Sequence, residues 1–187
     1  CQPCGCAYHV GFGDADIEIE SIVPDGIALA NAVTVLQPQT DSAIMALDIG
    51  EMATNLVAIS PPAKAIAPIV RFIHGGVSNL ARDNGSENAQ SSRERQASGE
   101  RWLREIERSI QFVSDRLDAP TSEILVVGDG ADNGELLEWI SQAIQMPVKP
   151  WNPLKDISPG MNISDKEIIE NQGHQCAIAL GLALMEG

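Results

Sequence analysis

The sequence predicts an α/β domain, a mixed sheet with helices packed against it, and three observations predict it. Two apolar, β-prone runs at 43–49 and 54–60 are joined by a turn containing Gly50. Leu103, Ile106, Ile110, Val113 and Leu117 recur in steps of three and four, one apolar stripe on a helix at about 100–117. Residues 124–127 form a continuous apolar run followed by Gly128-Asp129-Gly130, as in a strand covered on both faces.

The elements follow in order. Residues 8–12 and 16–22 alternate apolar and polar side chains, which suits short strands. Pro24 and Asp25 open a helix whose apolar face is Leu29, Val33 and Leu36, and Pro38 stops it. The runs at 43–49 and 54–60, with a third at 65–73, read as a meander. Pro68 makes the third an edge strand, because proline cannot donate to a ladder. Residues 82–99 turn to Asn, Ser, Gln, Glu, Gly and Arg without an apolar period, and predict a loop or a reduced, disordered insertion. The stripe that follows covers about two heptads, too few for a coiled coil, so the helix is expected to pack on the sheet. Residues 135–144 predict a helix, 146–151 a short strand broken by Pro147, and 172–185 a closing helix holding His174 and Cys176. His74 reads as a turn residue, and Trp102, Trp139 and Trp151 as core or rim anchors.

The 187 residues suit one domain, or one and a fraction, and 44% apolar with 20% charged residues is enough to build a core. Twelve basic against twenty-six acidic residues give a net charge of -14. Nucleic acid is therefore excluded as an expected partner, and a nucleotide would need local N–H groups and a cation. The run at 178–185 is far below the roughly 18 residues that cross a bilayer, and no secretion signal is visible, so a cytoplasmic location without membrane insertion is expected. The chain opens on Cys1 instead of Met, as expected of an excised fragment. Cys1, Cys4 and Cys6 resemble half a metal or iron–sulfur site, but no second cluster completes it. Residues 1–15 are thus expected to form an N-terminal segment binding no stoichiometric metal, and 16–187 the domain.

Two turns are the candidate sites. Asp48-Ile49-Gly50 ends one strand and leads through Glu51, Met52 and Ala53 to Thr54 in the next. Such a hairpin can aim successive N–H groups at phosphate oxygens, while a strand-end carboxylate holds hydrated Mg²⁺. Gly128-Asp129-Gly130-Ala131 links a strand to the helix opened by Gly134, where a ligand can approach closely because glycine has no Cβ. Each turn alone is also ordinary turn chemistry.

The order of these motifs, with Gly75-Gly76, residues 107–112, Asn152-Pro153 and the final Gly181-Leu182-Ala183-Leu184, resembles the C-terminal half of the PilM family of type IV pilus assembly proteins, which have an actin-like (ribonuclease H-like) fold. The resemblance implies that the hairpin is a phosphate loop, through Asp48, Gly50 and Thr54, and that Gly128, Asp129, Gly130 and Ala131 form the adenosine-side loop. It implies ATP and Mg²⁺ as ligands. The implied partners are proteins of a pilus or secretion complex that would bring the chain to the inner membrane. The family's first phosphate loop and first large domain are absent, so weak nucleotide binding and no measurable hydrolysis are expected, with no catalytic residue. An actin-like enzyme, either a sugar kinase or an iron–sulfur ATP-dependent activator, is the rival reading. On the main reading Asp48, Gly50, Gly128 and Gly130 are expected to face one another across one cleft.

Overall fold

A computed structural model describes residues 21–64, 66–80, 89–157 and 166–185. Helix α1 (Asp25–Leu36) starts where Pro24, in extended conformation, offers its carbonyl to the N–H groups of Ile27 and Ala28. Leu29 and Val33 are fully buried, as their spacing requires. Strands β1 (Ala43–Ile49) and β2 (Ala53–Ile59) form an antiparallel hairpin, and β3 (Ile69–His74) pairs antiparallel with β2, beginning just after Pro68. The long helix α2 (Ala89–Leu117) crosses to β4 (Thr121–Val127), which lies parallel to β1. Helix α3 (Gly134–Ile144) then leads to β5 (Val148–Pro150), parallel to β4. Helices α4 (Lys166–Gln172) and α5 (Ala177–Ala183) follow. The sheet order is β3-β2-β1-β4-β5, mixed as expected, with β3 at an edge.

Strand pleating sends alternate side chains to opposite faces, so the two faces have separate cores. Met45, Leu47 and Ile49 of β1 pack with Ile106, Val113 and Leu117 of α2 and with Leu136 and Ile140 of α3. Ala46 of β1, with Val57, Leu125 and Val127, packs with Leu29 and Val33 of α1. Each such large aliphatic side chain stabilises the fold by about 1.5–3 kcal/mol on burial. The five stripe residues of α2 are all buried, so helix-on-sheet packing holds. Helices α1 and α5 cross closely: a Cβ on Gly181 would lie 1.9 Å from the Ala28 carbonyl oxygen, and Asn31 Nδ2 donates to the Gly181 carbonyl at 2.7 Å.

Two expectations need correction. Helix α2 begins at Ala89, within the segment expected to be a loop. Arg93, Glu94, Gln96 and Ala97 remain exposed, so they show no apolar period; Ser98 accepts from Asn79 Nδ2, and Gly99 lies beside Leu80. Propagation from the anchored half carries the helix there without a stripe. The closing segment is also not one helix. Gly173–Cys176 is a 3-10 turn, α5 begins after it, and a Cβ on Gly173 would lie 2.0 Å from Asn152 Oδ1. The strands expected at 8–12 and nearly all of 16–22, with Cys1, Cys4 and Cys6, lie outside the described residues. No helix among the described residues is long and apolar enough to cross a membrane.

Candidate functional site

Parallel pairing of β1 with β4 brings the two candidate turns to one edge of the sheet, since Asp48 stands opposite Val127, the last residue of β4. Strands running in the same direction end on the same side, whatever their separation in sequence. The turns do more than face each other. A Cβ on Gly128 would lie 2.6 Å from Asp48 Oδ1, and Gly128 holds a left-handed φ of 77°. Gly130 donates its N–H to the Ile49 carbonyl at 2.9 Å, and a Cβ there would stand 2.7 Å from the Ile49 side chain. These two glycines are therefore required by the contact between loops, where the sequence suggested room for a ligand.

The hairpin is buttressed in the same way by the Gly75-Gly76 turn. Gly50 accepts from Val77 N–H at 3.0 Å, Glu51 accepts from Ser78 N–H at 2.9 Å, and a Cβ on Gly76 would meet the Gly50 oxygen at 2.0 Å. Thr54, expected on a phosphate, has no exposed surface. Its hydroxyl donates to the Gly75 carbonyl at 2.7 Å and accepts from Trp102 Nε1 at 3.2 Å. Its side chain ties β2 to a turn and a buried indole, which withdraws it from the loop surface.

Several N–H groups expected to cradle an anion are also used within the protein. Gly50 donates to Ala53, Gly128 to His174, Gly130 to Ile49 and Ala131 to Gly128. Those without an acceptor among the described residues include Glu51, Met52, Asp129 and Gly134. Glu51, Met52 and Asp129 are exposed.

Asp48 lies on the α1 face of the sheet, where Asn55 Nδ2 donates to its Oδ2 at 3.3 Å. Burial pushes its pKa above the ordinary 3.8; the Asn55 hydrogen bond works against this, and the Asp25 and Asp129 carboxylates add to it. Asp25, at the start of α1, thus belongs to the electrostatics of the site although nothing in the sequence pointed to it.

Beside the second loop an open groove of about 720 Å³ runs between the 3-10 turn Val77–Leu80 and the start of α3. Leu80, Asp129, Asp132, Asn133 and Gly134 line it, and Asn133 caps α3 by accepting from Leu136 N–H at 3.1 Å. A Cβ on Gly134 would meet nothing within 4 Å, so this glycine, unlike Gly128 and Gly130, borders free space. The helix N-terminus favours negative charge, but among the described residues no lysine or arginine lines the groove and Asp129, Asp132 and Glu135 do.

His174 was assigned to the closing helix and instead supports the second loop. It is buried, its carbonyl accepts the Gly128 N–H at 3.1 Å, and its Nε2 is 3.0 Å from Asp132 Oδ2, an ion-pair distance without hydrogen-bond alignment. His74 is exposed at the end of β3, edge-on to Phe72. Trp102 and Trp151 are buried anchors and Trp139 is half-buried, as expected.

No family profile and no curated protein matches the sequence. Solved structures do. The PilM–PilN type IV pilus biogenesis complex matches with a TM-score of 0.61 at 20% identity, over 87% of this chain and 51% of that one. The ethanolamine utilization protein EutJ from Carboxydothermus hydrogenoformans matches with a TM-score of 0.55 at 18% identity, over 96% and 60%. A nucleotide-free diol dehydratase-reactivating factor matches with a TM-score of 0.59 at 14% identity, over 98% and 39%. The chain thus has the actin-like ATPase fold and is similar to PilM in structure. At these identities the likeness concerns the fold alone. The chain spans between 39% and 60% of the length of these matched chains.

Proposed function

We propose that this chain is the loop-bearing half of an actin-like assembly protein of the PilM kind. In this reading it takes up ATP with Mg²⁺ as a conformational ligand and engages protein partners of a pilus or secretion complex on the cytoplasmic side of an inner membrane. The observation that carries the reading is the contact of Asp48 with Gly128, which sets a strand-end carboxylate against the loop whose next residue, Asp129, lines the open groove at the start of α3.

The residues present fit the group in part. The free space at Gly134 and the start of α3 suit a nucleoside, and Asp48 suits a hydrated cation. Bound Mg²⁺ would offset phosphate charge in a groove that carries carboxylates and, among the described residues, no basic side chain. Asp48 would hold the hydrated cation, the N–H groups of Glu51 and Met52 would meet phosphate oxygens, and Leu80 would shield the nucleoside side from water. Thr54 has no part in it through its side chain. The two-protein nature of the PilM–PilN complex supports the assembly role.

The test uses the full-length gene product. Mg²⁺-ATP at about a hundredfold excess over its dissociation constant should stabilise it by about 2.7 kcal/mol, and Asp48→Asn and Gly134→Leu should each remove most of that gain. Unchanged denaturation with and without Mg²⁺-ATP, or full retention of the gain in both variants, rejects the reading.

A further inference from the structure

The edge strand β3 carries a set of features that the nucleotide loops do not use. Its outer side is unpaired among the described residues, because β3 bonds only to β2. An open row of N–H and C=O groups is a template for another strand. Arg71, near the middle of β3, points toward α2. Its Nε donates to the hydroxyl of fully buried Ser109 at 3.2 Å, and its guanidinium carbon is 4.5 Å from the centre of the Phe112 ring. The guanidinium of Arg116 lies 4.3 Å from the same ring. Neither arginine has a carboxylate partner among the described residues, in a chain of net charge -14. The nearby carboxylates are otherwise engaged, Glu105 with Arg108, Asp115 with Gln111 and Asp118 with Lys64.

The other face of the same edge is apolar. Phe72 alternates with Arg71 and is 58% exposed there, while Phe112, on the Arg71 face, is 37% exposed. The chain has three phenylalanines; Phe12 lies outside the described residues, and the other two flank this edge.

We propose that the outer edge of β3 takes up an extended acidic segment of a partner protein, in which carboxylates alternate with apolar side chains. Added strand-wise, the segment pairs its backbone with β3, sends its carboxylates to the fork of Arg71 and to Arg116, and lays its apolar side chains on Phe72. Arg71 is held in place before binding by Ser109 and Phe112, so little side-chain freedom is lost when a carboxylate arrives. The segment, paired parallel to β3, belongs to another molecule for a topological reason. Helix α1 lies on the face opposite α2 and α3, so a parallel strand directly before α1 would reach this edge only by a left-handed crossover, which is rare.

The test titrates the full chain with a fluorescent ten-residue peptide of alternating Glu and Val, and with its Gln–Val counterpart. The Glu peptide should bind saturably and the Gln peptide about tenfold more weakly. Arg71→Gln and Arg116→Gln should each weaken the Glu peptide by about tenfold, Arg116→Gln with unchanged thermal denaturation, while a Glu peptide methylated on alternate backbone nitrogens should not bind. Equal affinity for the Glu and Gln peptides, retention of binding in both arginine variants, or equal binding of the methylated peptide overturns the proposal. So does inorganic phosphate binding at these arginines with no peptide bound, which would make this a small-anion site. Self-association that the arginine substitutions abolish, again without peptide binding, overturns it in favour of a second copy of the chain.

Discussion

Asp48 Oδ1 lies 2.6 Å from the place a Cβ of residue 128 would occupy, so the carboxylate that ends β1 is seated on the bare backbone of Gly128. The two loops are therefore one structural unit, and a change in either is felt by the other.

Asp48 is the first test of that unit. Its folded pKa is raised, chiefly by burial. A raised acid contributes stability below its unfolded value and loses that contribution as pH rises through the folded value, so at neutral pH the buried charge costs stability. Asp48→Asn should thus denature later than wild type at pH 7, with the gap closing as pH falls below the ordinary 3.8. Urea titrations across pH check it, and a variant less stable at pH 7 refutes it.

The glycines separate packing from ligand space. Gly130→Val forces its Cβ within 2.7 Å of Ile49 and should cost about 1–3 kcal/mol. Gly134→Ala enters open space in the first turn of α3 and should gain about 0.4–1 kcal/mol. Thermal denaturation of both variants gives the answer, and equal effects at the two sites would contradict the assignment.

Thr54→Val keeps the volume and removes a hydroxyl that serves both Gly75 and Trp102. Two buried polar groups lose their partner, at a cost of about 1–3 kcal/mol. The Trp102 fluorescence should shift with it. Unchanged stability together with lost nucleotide binding would instead restore Thr54 as a phosphate ligand.

Ile106 has no exposed surface and Ile110 is nearly buried against the sheet. Truncating either to Ala should cost about 2–5 kcal/mol. Chemical denaturation midpoints that stay at the wild-type value in both variants are the contrary result.

Much of the fold was legible because local pattern and tertiary packing asked for the same residues. The stripe from Leu103 to Leu117 had to be buried somewhere flat, and the run at 124–127 had to be covered on both faces. The start of α2 was not legible, since Arg93, Glu94, Gln96 and Ala97 are helical while exposed. In the site, the positions of Asp48 and Gly128 were legible as loop ends, but the purpose of each glycine was not. A glycine spared for packing and one bordering free space read alike in sequence, and only the Cβ environments of Gly130 and Gly134 tell them apart.

What the sequence by itself determined was therefore the order and kind of the elements, because periodicity, proline and glycine act within a few residues. The tertiary structure alone decided three things: that Thr54 faces Trp102, that Asp25 adds charge beside Asp48, and that His174 holds Gly128. The physical reason is that a hydrogen bond or a charge effect depends on distance in space, and the parallel pairing of β1 with β4 and the return of the chain past α4 set those distances.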